Sequence, residues 1–324
     1  MNNVHGGPDA LGVPRWDFST NANACGPCPS ALVAVKQADA RHYPDPAYTV
    51  LRESLAAFHA VDAARIVLAG SASEFIGRFT AWVAREGGQR VWLPALAYRD
   101  CAQAAQAWKL KRVQDPAEAH LAWLCEPSSP LGQAEPMAPG VASLTGHVVL
   151  DRAYEPLRLN GRCSLEPAEQ QQVWQLWTPN KAMGLTGVRG AYAIAPLHAL
   201  AEARAIDQLA PSWVLGAHAV ALLEAWVLPA AQDWLAHSLQ TLREWKREQR
   251  DLLNEGGWRT LPSEANYFCA APPRPFDAQA LRAAGLKLRD TTSFGLPGHW
   301  RLGVLPPEAQ AELHLALRQQ ERVG

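Results

Sequence analysis

A chain of 324 residues with 48% hydrophobic content can bury a large core, and its length exceeds what one core commonly serves, so two lobes are expected. Its formal net charge of −1 gives no electrostatic reason to bind nucleic acid or an anionic membrane. No run of about eighteen apolar residues and no basic-then-apolar leader is present, so a cytoplasmic chain without a membrane span is expected.

The chain opens with His5-Gly6-Gly7 and then Asp17-Phe-Ser-Thr-Asn-Ala-Asn23, polar and Gly-bearing segments without a strand or helix period. Cys25-Gly-Pro-Cys28 follows, a spacing shared with redox dithiols. Such a pair needs a strand before it and a helix after it, so that the helix terminus lowers the thiol pKa. Here Pro29-Ser30 can start a helix at Ala31, but a loop-like Asn-Ala-Asn-Ala stretch leads in. With no second cysteine pair, a zinc site lacks ligands, and no metal is expected. The other four cysteines are scattered and expected to be reduced.

Six short apolar runs then appear with helical stretches between several of them. They are Arg65–Ala69, Arg90–Leu93, Leu121–Cys125, His147–Leu150, Val173–Trp177 and Ala191–Ala195. Glu74–Arg85 and Tyr98–Lys109 carry helical periods, and the alternation predicts an α/β architecture with a mostly parallel sheet covered on both faces. Ligands of such sheets sit at the carboxyl ends of the strands. After about residue 210 the pattern changes to long helices, 217–227 and 232–253, with Pro229 between them, and then to a smaller mixed region read as a second lobe.

The first expected strand feeds Ala69-Gly-Ser-Ala-Ser-Glu-Phe-Ile76. A helix starting near Ser71 would offer free backbone amides and the positive end of its dipole to an anion. Alone, the segment equally suits an ordinary helix capped by Ser71 or Ser73. Further on, Gly146-His-Val-Val-Leu150 runs into Asp151 and, three residues later, Tyr154. Then comes Thr178-Pro-Asn-Lys-Ala-Met-Gly-Leu-Thr-Gly-Val-Arg189, which sets Lys181 between a hydroxyl and a guanidinium. Lysine, aspartate, tyrosine and arginine together meet the needs of pyridoxal 5'-phosphate: an amine to bond its aldehyde, an anion for the pyridinium nitrogen, a phenol near the ring oxygen and a cation for the phosphate. With Thr178 and Arg189 available, the phosphate reading of the Ser71 segment is favoured.

Thr178 through Arg189 resembles the Ser/Thr-x-x-Lys-x-x-Gly-Leu-x-Gly-x-Arg signature of the fold-type I aminotransferase superfamily. Within it the chain is similar to the branch of histidinol-phosphate aminotransferases and cobalamin-pathway threonine-phosphate decarboxylases. One departure is that Gly190 comes a place early and Ala191 stands where the family has glycine. His5-Gly-Gly7, Arg41-His-Tyr-Pro-Asp45 and Leu288–Leu302 carry the resemblance to both ends of the chain. It implies fold type I, with an N-terminal arm over 1–30 that joins the small domain. A large cofactor domain would span 31–215, and linking helices with a small α+β domain would span 216–324. It implies a homodimer whose active site is shared, Tyr43 reaching the partner's phosphate, and a small amino-acid or phospho-amino-acid substrate.

Carried over residue by residue, Lys181, Asp151 and Tyr154 are the catalytic set. Ala72, Ser73, Glu74, Thr178 and Arg189 would lie at the phosphate, and Tyr98 is the aromatic candidate to stack on the ring. Ser129, in Pro127-Ser-Ser-Pro-Leu-Gly132, replaces the family's asparagine donor to the ring oxygen, and a serine reaches less far and lacks the amide plane. Arg301 would pair with the substrate carboxylate in the bidentate geometry that guanidinium favours. Arg289 is the second cation, and Asn21, His5, Gly6 and Gly7 could close over the substrate. The same residues serve loss of the α-proton, hence transamination, or loss of carbon dioxide. The His-Gly-Gly opening favours a threonine-phosphate decarboxylase-like lyase of cobalamin biosynthesis, with a histidinol-phosphate or aromatic aminotransferase as the alternative. A pyridoxal phosphate-binding protein with little catalysis, altered at Ser129 and Asn180, is a third reading.

Overall fold

The structure is a computed structural model that describes residues 6–136 and 138–323. In chain order the elements before the long helices are β1 (Trp16–Asp17), α1 (Pro29–Gln37), α2 (Thr49–His59), β2 (Ile66–Ala69), α3 (Ala72–Arg85), β3 (Arg90–Trp92), α4 (Arg99–Ala107), β4 (Lys111–Arg112), β5 (Leu121–Cys125), β6 (His147–Asp151), α5 (Pro167–Gln170), β7 (Trp174–Trp177), β8 (Ala191–Ile194) and α6 (Leu200–Asp207). They are followed by α7 (Ala217–Trp226), α8 (Pro229–Glu255), β9 (Arg259–Thr260), β10 (Tyr267–Ala271), α9 (Ala278–Ala283), β11 (Leu286–Lys287), β12 (Arg289–Asp290), β13 (Trp300–Gly303) and α10 (Pro307–Val323).

Seven strands form one sheet in the order β2-β8-β7-β6-β5-β3-β4. All its pairings are parallel except those of β8, which runs antiparallel to both β2 and β7. This is the mostly parallel α/β sheet that the apolar runs predict. Each of the six runs becomes a strand, and the short polar edge strand β4 has no apolar pattern to announce it.

Alternation along the strands divides the buried side chains between two faces. Val67, Val91, Leu121, Trp123, Val149 and Leu176 pack with Phe75, Ile76 and Phe79 of α3. Ile66, Leu68, Tyr192 and Ile194 pack on the opposite side with Leu51 and Leu55 of α2 and Leu222 and Leu223 of α7. With helices on both faces, the strands have no solvated side, which is why they read as continuous apolar runs.

Pro229 does not separate two helices by breaking one. It is the first residue of α8, with Leu228 as N-cap, where its missing N–H costs no intrahelical bond. Helix α8 then runs 27 residues to a second, four-stranded antiparallel sheet, β12-β13-β10-β9. The N-terminal segment joins this end of the molecule: Trp16 and Asp17 pair in parallel with Leu286 and Lys287. Gly303 N also donates to Phe18 O at 2.7 Å.

Candidate active site

Register brings the chemistry to one edge. Asp151, the last residue of β6, pairs with Leu176 of β7, and Trp177, one residue on, pairs with Tyr192 of β8. Because β8 runs back along β7, the connection 178–190 leaves and re-enters the sheet at the same edge. Ala191 in turn pairs with Ala69 at the end of β2, which sets Gly190 and Arg189 beside Gly70 and Ser71. Three segments distant in sequence thus meet at the carboxyl ends of the parallel strands.

A cavity of about 200 Å³ opens there. Its walls include Lys181, Asp151, Tyr154, Thr178, Arg189, Ser73, Ala72, Tyr98, Ser129, Arg301, Arg289, Asn21 and Gly6. Lys181 Nζ donates to Thr178 Oγ1 at 3.3 Å and stands 5.4 Å from the centre of the Tyr154 ring. Asp151 is 8% exposed, and its Oδ1 accepts from Ala153 N at 2.9 Å. Burial raises the Asp151 pKa, opposed by that N–H and by the charge of Lys181. A protonated heterocyclic nitrogen is a partner that suits such a buried carboxylate.

Helix α3 supplies the anion cradle. Ser71 is its N-cap and accepts from Glu74 N at 3.1 Å, and the first intrahelical bond is Phe75 N to Ser71 O. The amides of Ala72 and Ser73 therefore precede the bonded turns, and both residues line the cavity together with Ser71. The capping reading and the anion reading of this segment describe one serine at one helix start. Ser73 Oγ and Tyr98 OH lie 3.4 Å apart, which places the Tyr98 phenol next to the cradle, and burial raises its pKa.

Tyr154 is held from two sides. Asn21 Nδ2 donates to its hydroxyl at 3.2 Å, and its ring meets the Tyr267 ring edge-on at 4.7 Å. Tyr267 is fixed in turn by donation to Ser128 O at 2.8 Å. The Asn21 carboxamide oxygen is buried and has no partner among the described residues.

The wall facing the strand ends comes from the small sheet and the N-terminal segment. Arg301 of β13 donates through Nη2 to Ser19 O at 3.0 Å and through Nη1 to Ser129 Oγ at 3.4 Å. Its Nε is buried without a partner among the described residues. Arg289, opposite Arg301 in the β12–β13 register, donates to Ser293 Oγ at 2.8 Å. The Phe294 ring lies close to both guanidiniums, 4.9 Å from that of Arg289 and 5.6 Å from that of Arg301. Burial and the neighbouring Arg301 lower the Arg289 pKa, so an anion placed there relieves a charge conflict.

Some expected residues stand elsewhere. The Glu74 carboxylate turns from the cavity, facing Arg78 Nε at 3.0 Å and accepting from Gly70 N at 3.1 Å; an acid aimed at the cradle would repel a phosphate. Gly7 does not line the cavity, its N–H being held by Ser19 Oγ at 2.9 Å, while Gly6 does. Tyr43 is 77% exposed and stacks on Trp213 at 4.3 Å, away from the cavity of its own chain. His5 lies outside the described residues. Ser19, Thr20, Ala153, Asn180 and Phe294 also line the cavity, and no sequence signal singled out Ser19, Thr20, Ala153 or Phe294 for it.

Among the described residues no three His, Cys, Asp or Glu side chains gather as a metal site. All six cysteines are free, and burial pushes the Cys25 thiol up to about 11, the reverse of a redox thiol. No helix among the described residues is long and apolar enough to cross a membrane.

The donor set fits pyridoxal 5'-phosphate: an amine, a buried carboxylate with no ion pair among the described residues, a phenol, and a helix start flanked by Thr178 and Arg189. Known proteins agree. The family model described as aminotransferase class I and II matches residues 15–317. A histidinol-phosphate aminotransferase of Natronomonas pharaonis is 29% identical over 315 residues, covering 88% of this chain and 85% of that one. The structure of histidinol-phosphate aminotransferase from Sinorhizobium meliloti in complex with pyridoxal-5'-phosphate superposes with a TM-score of 0.82 at 24% identity, covering 100% of this chain and 96% of that one. The L-threonine-O-3-phosphate decarboxylase of Porphyromonas gingivalis superposes with a TM-score of 0.73 at 19% identity, covering 93% and 98%. At those identities the two structures speak for the fold.

Proposed function

The chain belongs to the class I and II aminotransferase family, whose members are pyridoxal phosphate-dependent enzymes. From that premise we propose that it moves an amino group between a phosphate-bearing or aromatic amine and a dicarboxylic acceptor, as a histidinol-phosphate aminotransferase does. The observation that carries this reading is the pair Arg289 and Arg301, both buried, both close to the Phe294 ring and both lining the cavity that holds Lys181. Two fixed guanidiniums suit substrates with two anionic groups, or two half-reactions whose substrates carry their anions at different points.

When bound, pyridoxal 5'-phosphate supplies an electron sink for the pair left on the substrate α-carbon. Asp151 would keep a proton on the ring nitrogen, its burial strengthening that pairing. Ser71, Ala72, Ser73, Thr178 and Arg189 would anchor the phosphate. Lys181, released from Thr178, can take and return the α-proton. Tyr154, oriented by Asn21, would donate at the ring oxygen. Arg301 would clamp a carboxylate and so choose which bond at the α-carbon faces the lysine.

A second reading is decarboxylation of a phosphorylated hydroxy amino acid. It is favoured by Gly6, of the His-Gly-Gly segment, on the cavity wall, where a Cβ would run 2.1 Å from Ser19 O. The test incubates cofactor-loaded protein with histidinol phosphate plus 2-oxoglutarate and, separately, with O-phospho-L-threonine, following glutamate and carbon dioxide. Glutamate without carbon dioxide supports the first reading. Carbon dioxide from phosphothreonine replaces it with the second, and silence in both assays points to a different substrate or to a catalytically degenerate site.

A further inference from the structure

Outside the cavity, the most unusual chemistry of the molecule lies along α8. Arg243, Lys246, Arg247 and Arg250 fall at i, i+3, i+4 and i+7 and therefore share one face of the helix. That face lines a cleft of about 480 Å³. The opposite rim is Asn160, on the connection after β6, and Ser263, on the connection between β9 and β10. The cleft thus joins three segments: one from the seven-stranded half, the linking helix, and one from the small sheet.

We propose that this cleft is a second anion site, which takes a small phosphate-bearing molecule and ties the three segments together. Three of the four basic side chains are held in place by neutral acceptors. Arg243 Nε donates to Leu159 O at 2.5 Å, and Lys246 Nζ donates to Ser263 O and Ala265 O at 2.6 Å each. Arg250 reaches Thr260 Oγ1 at 3.3 and 3.2 Å. None of the three arginines forms an ion pair with a carboxylate among the described residues. Asp251 borders the cleft without reaching ion-pair distance, and Glu264 is taken by Arg158.

Three guanidiniums beside a partly protonated Lys246, against one bordering carboxylate, are an excess of positive charge that the chain's overall balance of −1 does not require. An ordinary solvated helix face would leave its lysine in water. Here Lys246 is 6% exposed, and burial together with Arg250 lowers its pKa to about 7. Backbone carbonyls use two of the three ammonium donors. Guanidinium forks and a buried ammonium are the groups that bind phosphate oxygens. The cleft volume falls within the ~300–1,000 Å³ typical of small-molecule sites, more room than a single inorganic ion fills.

The test titrates the cofactor-loaded full chain with pyrophosphate and with AMP by calorimetry. Saturable binding is expected, weakened roughly tenfold or more in Arg247→Ala and in Arg250→Ala, the worth of one charge-assisted hydrogen bond. Arg247 is exposed and makes no hydrogen bond or ion pair among the described residues, so its removal leaves the fold intact. Arg289→Ala is expected to bind as the wild type does. Tighter binding of AMP assigns the cleft to an organic phosphate, and equal or tighter binding of pyrophosphate assigns it to a polyphosphate group. No binding to the wild type, or binding lost in Arg289→Ala and kept in Arg247→Ala, would overturn the proposal by placing the anion in the substrate cavity or nowhere.

Discussion

The two walls of the cavity are built by different rules. The strand-end wall, with Asp151, Thr178, Lys181 and Arg189, is fixed by pairings within one buried sheet. The facing wall is assembled across the chain: Arg301 is oriented by Ser19, 282 positions away, and Asn21 reaches over to Tyr154, 133 positions away. A sheet edge holds groups at fixed offsets and suits chemistry common to every substrate. A wall made of a small sheet and an N-terminal segment can change with little effect on the core, and suits the choice of substrate.

This contrast predicts a graded series. Lys181→Ala is expected to lower turnover roughly 10⁴-fold and to abolish the covalently bound cofactor's visible band, with the fold retained; substantial residual turnover would show that another base acts. Asp151→Asn should cost about 10²–10³-fold in kcat, the scale for losing one preorganised electrostatic partner, and an unchanged rate would mean that the buried carboxylate serves only the fold. On the facing wall the effect should fall on binding. Arg301→Lys is expected to raise KM roughly 10–100-fold with the cofactor spectrum unchanged, whereas a loss confined to kcat would erase the distinction between the walls.

Ser129 stands where the walls touch, since its hydroxyl accepts from Arg301. Ser129→Asn adds a donor and should lower the pH midpoint of the bound cofactor's absorbance by about one unit, near 1.4 kcal/mol and the worth of one hydrogen bond. Superimposable titrations would show that Ser129 does not tune the ring oxygen. Smallest is Ser71→Ala, which removes the α3 cap and should lower the stability of the cofactor-free protein by about 1 kcal/mol in urea unfolding.

The same contrast decides what the sequence reveals. Six of the seven strands of the large sheet are visible as apolar runs because they are buried on both faces; β4 is two exposed charged residues and carries no pattern. Asp151, Tyr154, Lys181 and Arg189 stand out because they lie within or beside such runs. Phe294 and Ser19 do not, since their roles depend on contacts with Arg289 and Arg301 that no local period encodes. The Glu74 side chain shows the limit of position alone: its backbone belongs to the cradle's first turn, but Arg78, one turn on, draws the carboxylate away. The basic face of α8 carries no sequence signal of burial, and the carbonyls of Ser263 and Ala265, distant in sequence, hold its Lys246 out of solvent.

Everything on both walls depends on the amine of Lys181 as the group expected to carry the cofactor. Borohydride reduction of the pyridoxal phosphate-loaded protein, followed by proteolysis and mass spectrometry, tests it directly. One phosphopyridoxyl group is expected, located on the peptide that contains Lys181 and missing from Lys181→Ala. A stable label on another lysine, or none on the loaded protein, would contradict it.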